Sequence, residues 1–470
     1  MILLSNRPRL RFAPSPTGYL HIGSARTVLF NWLHARRTGG EFLLRIEDTD
    51  LERNRPELVD NIYEMIEWLG LGWDGEPVHQ SDRFPAYAEA ARQLLATGAA
   101  YYCDCLPADV DARAKARGEA GYDGHCRDRG LEAGPGRALR FRVPDEGTTT
   151  FHDLIRGDLS FDHASLEDFV LLRSNGTPTF LLANVVDDVF QEITHVVRGE
   201  EHVNGTPKYL LIAEALGLDY RPEFAHLPVL VNKDRKKLSK RRDSVSVVDF
   251  RDKGFLPEAM VNYLALLGWG PKDDVEIRPV SEIIDLFRLE DVTLSPAFFD
   301  EKKMAHINAD YIRRLDTDDF LTRVEPFLSN PAAMEPLRQL VGPIQGRTRL
   351  LADVDGAVDF LLTDEVEIDD DSWQKGVLKH GDRSVVMLDG VIGGFADVEW
   401  DADAIRSVVE QVGIEAGFVN DEGHLQLGKA QAPVRIATTG QSVGPPLFEA
   451  LEVLGRDRTL ERLRSARRRL

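Results

Sequence analysis

Residues 233–242 read KDRKKLSKRR, seven Lys or Arg against one Asp, a local charge of +6 in a chain whose formal net charge is −21. Cations packed this densely on an acidic protein call for an anion. A second stretch upstream, PSPTGYLHIGSA at 14–25, lies between a strand-like and a helix-like segment. Such a turn aims backbone N–H groups and the positive end of a helix at a phosphate. Gly18 and Gly23 allow close approach, and His21 can donate to a phosphate oxygen. A third constellation is Cys103, Cys105 and Cys126, the only cysteines, crowded into 24 residues. An odd count does not build a disulfide framework. Structural zinc takes four tetrahedral ligands, and Tyr122 and His125 stand nearby as a fourth. Each feature also has a plainer reading: a surface or capping histidine, a solvated basic loop, three inert thiols.

Positioning these residues takes a strand, a loop and a helix in that order. RLRFA alternates, with Leu10 and Phe12 on one face, and reads as a strand. SARTVLFNWLHARRTGG follows with Ala25, Val28, Leu29, Trp32 and Leu33 on one helical stripe, ended by Gly39-Gly40. EFLLRIEDTD is mostly apolar and fits a strand buried on both faces of a parallel sheet. Together they make a βαβ unit of a nucleotide-binding α/β fold. PELVDNIYEMIEWLGLGW carries a helical stripe through Leu58, Ile62, Met65, Ile66 and Leu69. Residues 101–190 change to short β-like runs such as ALRFRV and DFVLLR and read as an insertion, after which VVDDVFQEITHVVRGEEH returns to the α/β domain. From about residue 250 the pattern is helical. Pro257 starts one helix, and Ser295 followed by Pro296 is the expected N-cap of another.

The chain has 470 residues, enough for two to four domains at about 100–200 residues each. Its acidic balance argues against wholesale nucleic-acid binding but leaves room for local cationic tracks, including the C-terminal RDRTLERLRSARRRL with seven Arg and two acids. The acidic run TDEVEIDDD at 363–371 reads as a solvated face. No stretch approaches the ~18 apolar residues of a membrane span, and MILLSNRPRLRF is too short an apolar run for a signal peptide, so a cytoplasmic location without membrane attachment is expected.

HIGS at 21–24 paired with KLSKR at 237–241 resembles the two signature motifs of class I aminoacyl-tRNA synthetases. The longer strings RFAPSPTGYLHIGSARTVLFNW, FLLRIEDTD, NVVDDVFQEITHVVRGEEH, GFLPEAMVNYLALLGWG and FDEKKMAHINADYI, with VRIATTGQSVGPPLFEALEVLGRDRTLERL, are similar to bacterial glutamyl-tRNA synthetases over essentially the whole chain. That resemblance implies a Rossmann-like catalytic domain over 1–100 and 191–245, split by an acceptor-binding insertion with a zinc knuckle over 101–190. A helical stem-contact region over 246–315 and a helical anticodon-binding domain over 316–470 follow. The implied activity is glutamate–tRNA ligation: ATP with Mg2+ and L-glutamate give glutamyl-adenylate, and the glutamyl group passes to the terminal ribose of tRNA(Glu). In relaxed members tRNA(Gln) is a second partner. The family's usual state implies a monomer.

The same resemblance assigns residues. His21, Gly23, Lys237, Ser239 and Lys240 match catalytic motif positions, with Lys240 the catalytic lysine. Thr17, His21, Gly23, Glu201 and Lys240 match ATP-binding positions. Arg11, Ala13, Ser15, Glu47, Phe180, Asn184 and Arg198 match the glutamate pocket, with Glu47 facing the ammonium and Arg198 the side-chain carboxylate. The plainer alternative makes Arg11 and Glu47 an ion pair between neighbouring strands. Because the substrate carboxylate is the nucleophile, catalysis rests on positioning and charge stabilisation rather than on a nucleophilic side chain. One departure stands out: relatives carry tyrosine where this chain has Phe180. For the metal, spacing similar to the glutamyl-queuosine relatives favours Cys103, Cys105, Tyr122 and Cys126 over a set containing His125. A queuosine-type transferase would lack the C-terminal half. A noncatalytic RNA-binding paralogue would be expected to lose His21 or Lys240.

Overall fold

The computed structural model describes residues 7–50, 53–238 and 245–470. The chain divides into two compact units, one running to Phe250 and resuming over Pro257–Met304, the other made of Arg251–Leu256 and Ala305–Leu470.

The first unit is built on a seven-stranded sheet. Its strands are β1 (Arg9–Phe12), β2 (Glu41–Ile46) and β3 (Val78–His79), then β6 (Thr148–Asp153), β7 (Gly157–Asp162), β9 (His195–Gly199) and β10 (Glu223–Leu227). The spatial order is β3-β2-β1-β9-β10-β6-β7, parallel throughout except for the β6–β7 hairpin. The strands not yet placed, β4 (Ala100–Cys103), β5 (Ala138–Phe141) and β8 (Val170–Leu172), form a separate antiparallel sheet. Helix α1 (Ile22–Thr38) links β1 to β2 and ends at Gly39, whose φ of 64° is the left-handed cap that the Gly-Gly pair predicts. Leu10, Phe12, Val28, Leu29, Leu33, Phe42, Leu44 and Ile46 are buried, so the sheet is covered as its apolar strands require. Helix α2 (Pro56–Trp68) buries Ile62, Met65 and Ile66 but leaves Leu58 half-buried. Then come α3 (Phe84–Ala96), α4 (Pro107–Arg117), α5 (Phe180–Phe190) and α6 (Thr206–Ala215).

The segment read as one insertion over 101–190 is divided by the structure. β4, β5 and β8 stand apart, whereas β6 joins the main sheet through Phe224 and Asp153, and α5 packs against α6 and α3. Short β-like runs carry no mark of which sheet they join, because pairing is a long-range choice. Ser295 does not cap a helix. Ala297–Phe298 pairs in parallel with Leu230–Val231, and the helix starts later, at Glu301–Arg314, with Asp300 Oδ1 accepting from Lys302 N at 2.9 Å.

The second unit is helical. Asp382–Gly394, Ala402–Glu415, Leu427–Thr439, Leu447–Leu454 and Arg456–Arg467 pack around Met387, Leu388, Ile405, Val409, Val434, Leu451 and Leu463. The C-terminal arginines are not all a solvated patch. Arg462 is only 3% exposed and donates to the carbonyls of Phe360, Thr363, Asp364 and Thr438, the last at 2.6 Å. Arg458 donates to Leu361 O at 2.8 Å, and Arg467 pairs with Asp389 at 2.8 Å. Arg462 therefore closes the exposed ends of two helical turns at once. Arg462→Met should lower the unfolding free energy of the full chain by about 2–4 kcal/mol, because several carbonyls lose a charged donor together. Urea unfolding followed by circular dichroism checks this, and an unchanged midpoint would count against it.

Candidate active site

Between β1 and β9 the strand order reverses direction: the chain moves from β1 outward to β2 on one side and places β9 on the other. Ligands of open α/β sheets bind at such a point, beyond the carboxyl ends of the strands. A cleft of about 510 Å³ opens there. Arg11, Ala13, Ser15, Thr17, His21, Gly23, Glu47, Phe180, Asn184, Arg198, Glu201 and Lys237 all line it. These come from β1, the following turn, the end of β2, α5, β9 and the turn after it, and the segment past β10. Ser239 and Lys240 lie outside the described residues.

His21 caps α1. Its Nδ1 accepts from Ser24 N at 3.2 Å, which leaves the proton on Nε2, 3.0 Å from Ser24 Oγ. A Cβ on Gly23 would lie 3.1 Å from the ring, so the close fold of the turn over the imidazole favours glycine there. The segment beyond the basic run is tied to this turn. Ile22 N donates to Val245 O at 2.9 Å, Val247 N donates to Leu20 O at 2.9 Å, and His21 bridges Ser246. On the other flank Leu238 N donates to Leu230 O at 3.0 Å, and Lys237 bridges Val231 across a turn held by Asn232. Both flanks of residues 239–244 are thus fixed to the strands and loop that form the cleft.

The floor is a buried network of charges. Asp188 on α5 accepts from Arg11 Nε at 2.8 Å, Arg45 Nη1 at 2.7 Å and the Tyr209 hydroxyl at 3.0 Å. Burial alone would raise this carboxyl, but Arg11 and Arg45 outweigh it and hold it at about 2. Arg45 also reaches Asn184 Oδ1 at 2.6 Å and Gln191 Oε1 at 2.9 Å. Asn184 turns its amide N–H to Glu47 Oε1 at 2.9 Å. Burial pushes the Glu47 carboxyl up, opposed by Arg45 and the Asn184 bond. Arg11 and Glu47 are therefore not the direct inter-strand pair of the plainer reading: each is engaged by α5 instead.

Arg198 lies across from them, 7% exposed. Its Nη2 donates to Thr206 Oγ1 at 2.9 Å and its Nε to His226 Nε2 at 3.2 Å, while Nη1 is buried without a partner. Burial, with Arg11 adding, lowers this guanidinium to about 10. A buried guanidinium that lines the cleft and has a donor unpaired suits a carboxylate ligand. Phe180, at the first turn of α5, stacks on His202 with centroids 5.1 Å apart.

Sequence reasoning missed Arg45, Asp188, Thr206, His226 and Asp153. The only signal was the acid pair Asp187-Asp188 inside the apolar FLLANVVDDVF, where two carboxylates in a buried helix demand cationic partners. Asp187 takes the other set: Arg83 at 2.6 Å, Tyr87 at 2.7 Å and Gln80 at 2.9 Å.

The cysteines form their own site. The three sulfurs lie within 4.8 Å of one another. The Tyr122 hydroxyl is 3.5 Å from Cys103 Sγ, and Cys105 and Cys126 sulfurs are 3.5 Å apart. His125 is exposed and belongs to no such group among the described residues. Arg113 Nη2 lies 3.2 Å from Cys105 Sγ and Arg129 Nη1 3.3 Å from Cys126 Sγ. Three thiols and a phenol converging under two guanidinium groups form a donor set that fits a thiophilic cation.

Comparison with known proteins agrees with this geometry. Residues 8–306 match the family described as tRNA synthetases class I (E and Q), catalytic domain, and 319–467 match an anticodon binding domain. A glutamate–tRNA ligase of Frankia casuarinae is 51% identical over 99% of both chains. One of Thermobifida fusca is 51% identical over 97% of both. A crystal structure of a glutamate tRNA ligase from Elizabethkingia meningosepticum, in complex with its amino acid, is similar with a TM-score of 0.81 and 30% identity, covering 98% of this chain and 99% of that one.

The Asp188 network predicts a stability effect. Asp188→Asn leaves Arg11 and Arg45 buried without their shared anion and should cost about 3–5 kcal/mol. With its folded carboxyl at about 2 and an ordinary value near 3.9, Asp188 contributes stability that is fully present above about pH 4 and lost as pH falls toward 2. The variant's stability should fall less steeply over that window than the wild type's. Urea unfolding across pH checks both, and parallel curves would reject the assignment.

Proposed function

Because the chain belongs to the class I tRNA synthetases of the E and Q type, we propose that it is a glutamate–tRNA ligase that activates L-glutamate with ATP and transfers it to tRNA(Glu), acting as a cytoplasmic monomer. The observation that carries this reading is the cleft itself: a buried guanidinium with an unspent donor, Arg198, and a buried carboxylate, Glu47, line one cleft beside a glycine-rich turn at a helix N-terminus. An amino acid with a second carboxylate supplies an anion for Arg198 and an ammonium for Glu47.

In the first step the glutamate α-carboxylate attacks the α-phosphorus of ATP, taken with Mg2+, and pyrophosphate leaves. In the second a ribose hydroxyl of the terminal tRNA nucleotide attacks the acyl carbon, and AMP leaves. His21 Nε2–H, the N-terminus of α1, Lys237 and Lys240 stabilise the phosphate charge that develops in the first step. Thr17, Gly23 and Glu201 bound the ATP side of the cleft, and Ser239 belongs to the same motif as Lys240. A lysine suits a leaving pyrophosphate because its charge is compact and its stem adjustable. Arg11, Ala13, Ser15, Phe180 and Asn184 form the amino-acid side. Cys103, Cys105, Tyr122 and Cys126 would hold a structural zinc, whose four closed positions leave none for a reacting water.

Two experiments test this. Labelled glutamate, ATP and purified tRNA(Glu) and tRNA(Gln) should show charging of tRNA(Glu), with Lys240→Ala reducing kcat by about 10²-fold or more. Absence of charging would reject the reading, and charging of tRNA(Gln) as well would mark a relaxed enzyme. Metal analysis should find about one zinc per chain. Tyr122→Phe should lose it to a chelator faster than wild type while His125→Ala behaves as wild type, and the reverse ranking would replace Tyr122 by His125.

A further inference from the structure

Behind Arg198, on the side away from the cleft, lies a chain of buried groups that none of the motif positions includes. Asp153 closes β6 and is fully buried. Its Oδ1 accepts from Ile155 N at 3.0 Å and Arg156 N at 2.9 Å, and its Oδ2 accepts from His226 N at 3.1 Å and His226 Nδ1 at 2.6 Å. His226 is fully buried on β10, its ring stacked near-parallel on Phe224 at 6.1 Å.

The tautomer follows from donor counting. A guanidinium can only donate. Arg198 Nε donates to His226 Nε2, so that nitrogen is unprotonated and the proton sits on Nδ1, where Asp153 accepts it. Thr206 Oγ1 lies 2.9 Å from Arg198 Nη2 and 3.1 Å from the same His226 nitrogen. One edge of the guanidinium, Nε and Nη2, is thus held by fixed acceptors, and Nη1 is the nitrogen left without a partner.

We propose that Asp153, His226 and Thr206 are positioning residues that lock the Arg198 guanidinium in one orientation at the wall of the cleft, where it receives the side-chain carboxylate of glutamate. The inference rests on the glutamate–tRNA ligase reading. A planar cation held through two donors along one edge loses little freedom when a carboxylate arrives, so the relay acts on glutamate affinity and not on the phosphate chemistry. All three act through Arg198 and touch no reacting atom.

The test separates acceptor from scaffold. His226→Asn keeps an amide that can donate to Asp153 but has no atom at the Nε2 position, whereas His226→Gln can place its carbonyl oxygen there. With full-length enzyme and tRNA(Glu), His226→Asn should raise KM for glutamate roughly tenfold, with KM for ATP, kcat and Tm little changed, the signature of lost ground-state binding. His226→Gln should recover most of that loss. Thr206→Val, which keeps shape and removes the other acceptor, should act in the same direction, and Thr206→Ser should restore it. These last two decide the matter if the histidine variants do not fold. A KM for glutamate within twofold of wild type in Thr206→Val or folded His226→Asn overturns the proposal. So does a parallel rise in KM for ATP, or failure of the restoring variants. Failure of the wild type to charge any tRNA with glutamate would instead reject the underlying function.

Discussion

Asp188 is the constraint on which the catalytic unit depends. Two guanidinium groups, from neighbouring parallel strands, sit buried beneath the cleft. Arg45 is fully buried and Arg11 nearly so. Neither charge is tolerable there alone. One carboxylate on α5 answers both and takes the Tyr209 hydroxyl from α6, so β1, β2, α5 and α6 are fixed to a common point. The next residue, Asp187, binds α5 on its other side to α3 and the turn before it through Arg83, Tyr87 and Gln80. A helix clamped on two faces cannot slide, and Asn184, one turn away from Asp188, is held where its amide spans Arg45 and Glu47.

That clamping separates two kinds of charge. Arg11 and Arg45 share Asp188 and belong to the frame, although Arg45 Nε is also buried without a partner. Glu47 and Arg198 are buried yet incompletely answered: burial pushes the first toward its neutral form, and the second keeps one N–H without a partner. Unanswered buried charge is costly, and a fold keeps it where a ligand completes it. On the proposed reading glutamate completes both ends at once, and neutral His226 and His202 add no positive charge to compete. Burial holds His202 at about 4, with Arg198 adding to the effect.

Much of this was legible in the sequence, and the limits are physical. The βαβ unit was readable because its signals are local: alternation, a helical stripe, a glycine cap. Every residue matched to the catalytic, ATP and glutamate positions that the structure describes lines one cleft, since a loop between a strand and a helix has few places to go. Partners such as Asp188 for Arg11, or Asp153 for His226, are joined across 177 and 73 positions. No spacing rule spans such distances. The β6–β7 hairpin was misgrouped for the same reason, and Arg462 looked like part of a cationic tail because composition does not say which guanidinium turns inward. Ser295-Pro296 had the local form of a cap, but parallel pairing of Ala297–Phe298 with Leu230–Val231 overrode it.

Phe180, where the resemblance expects a tyrosine, borders the same frame. The ring packs face to face on His202 at an interplanar angle of 18°, an apolar contact that a phenol would not improve. The polar work at this end of α5 falls to Asn184, which accepts from Arg45 and donates to Glu47 and to the Phe180 carbonyl. With phenylalanine at the neighbouring position, the bonds from Arg45 to Asn184 and from Asn184 to Glu47 are both made, and the one buried donor of that triad left without a partner is Arg45 Nε. Had the hydroxyl been a member of the Arg45–Asn184–Glu47 chain, its loss would have exposed a buried charge, which costs far more than the bond itself. The Arg45–Asn184–Glu47 bonds are made without a hydroxyl at position 180, whose ring instead forms a stacked wall beside the charges of the cleft.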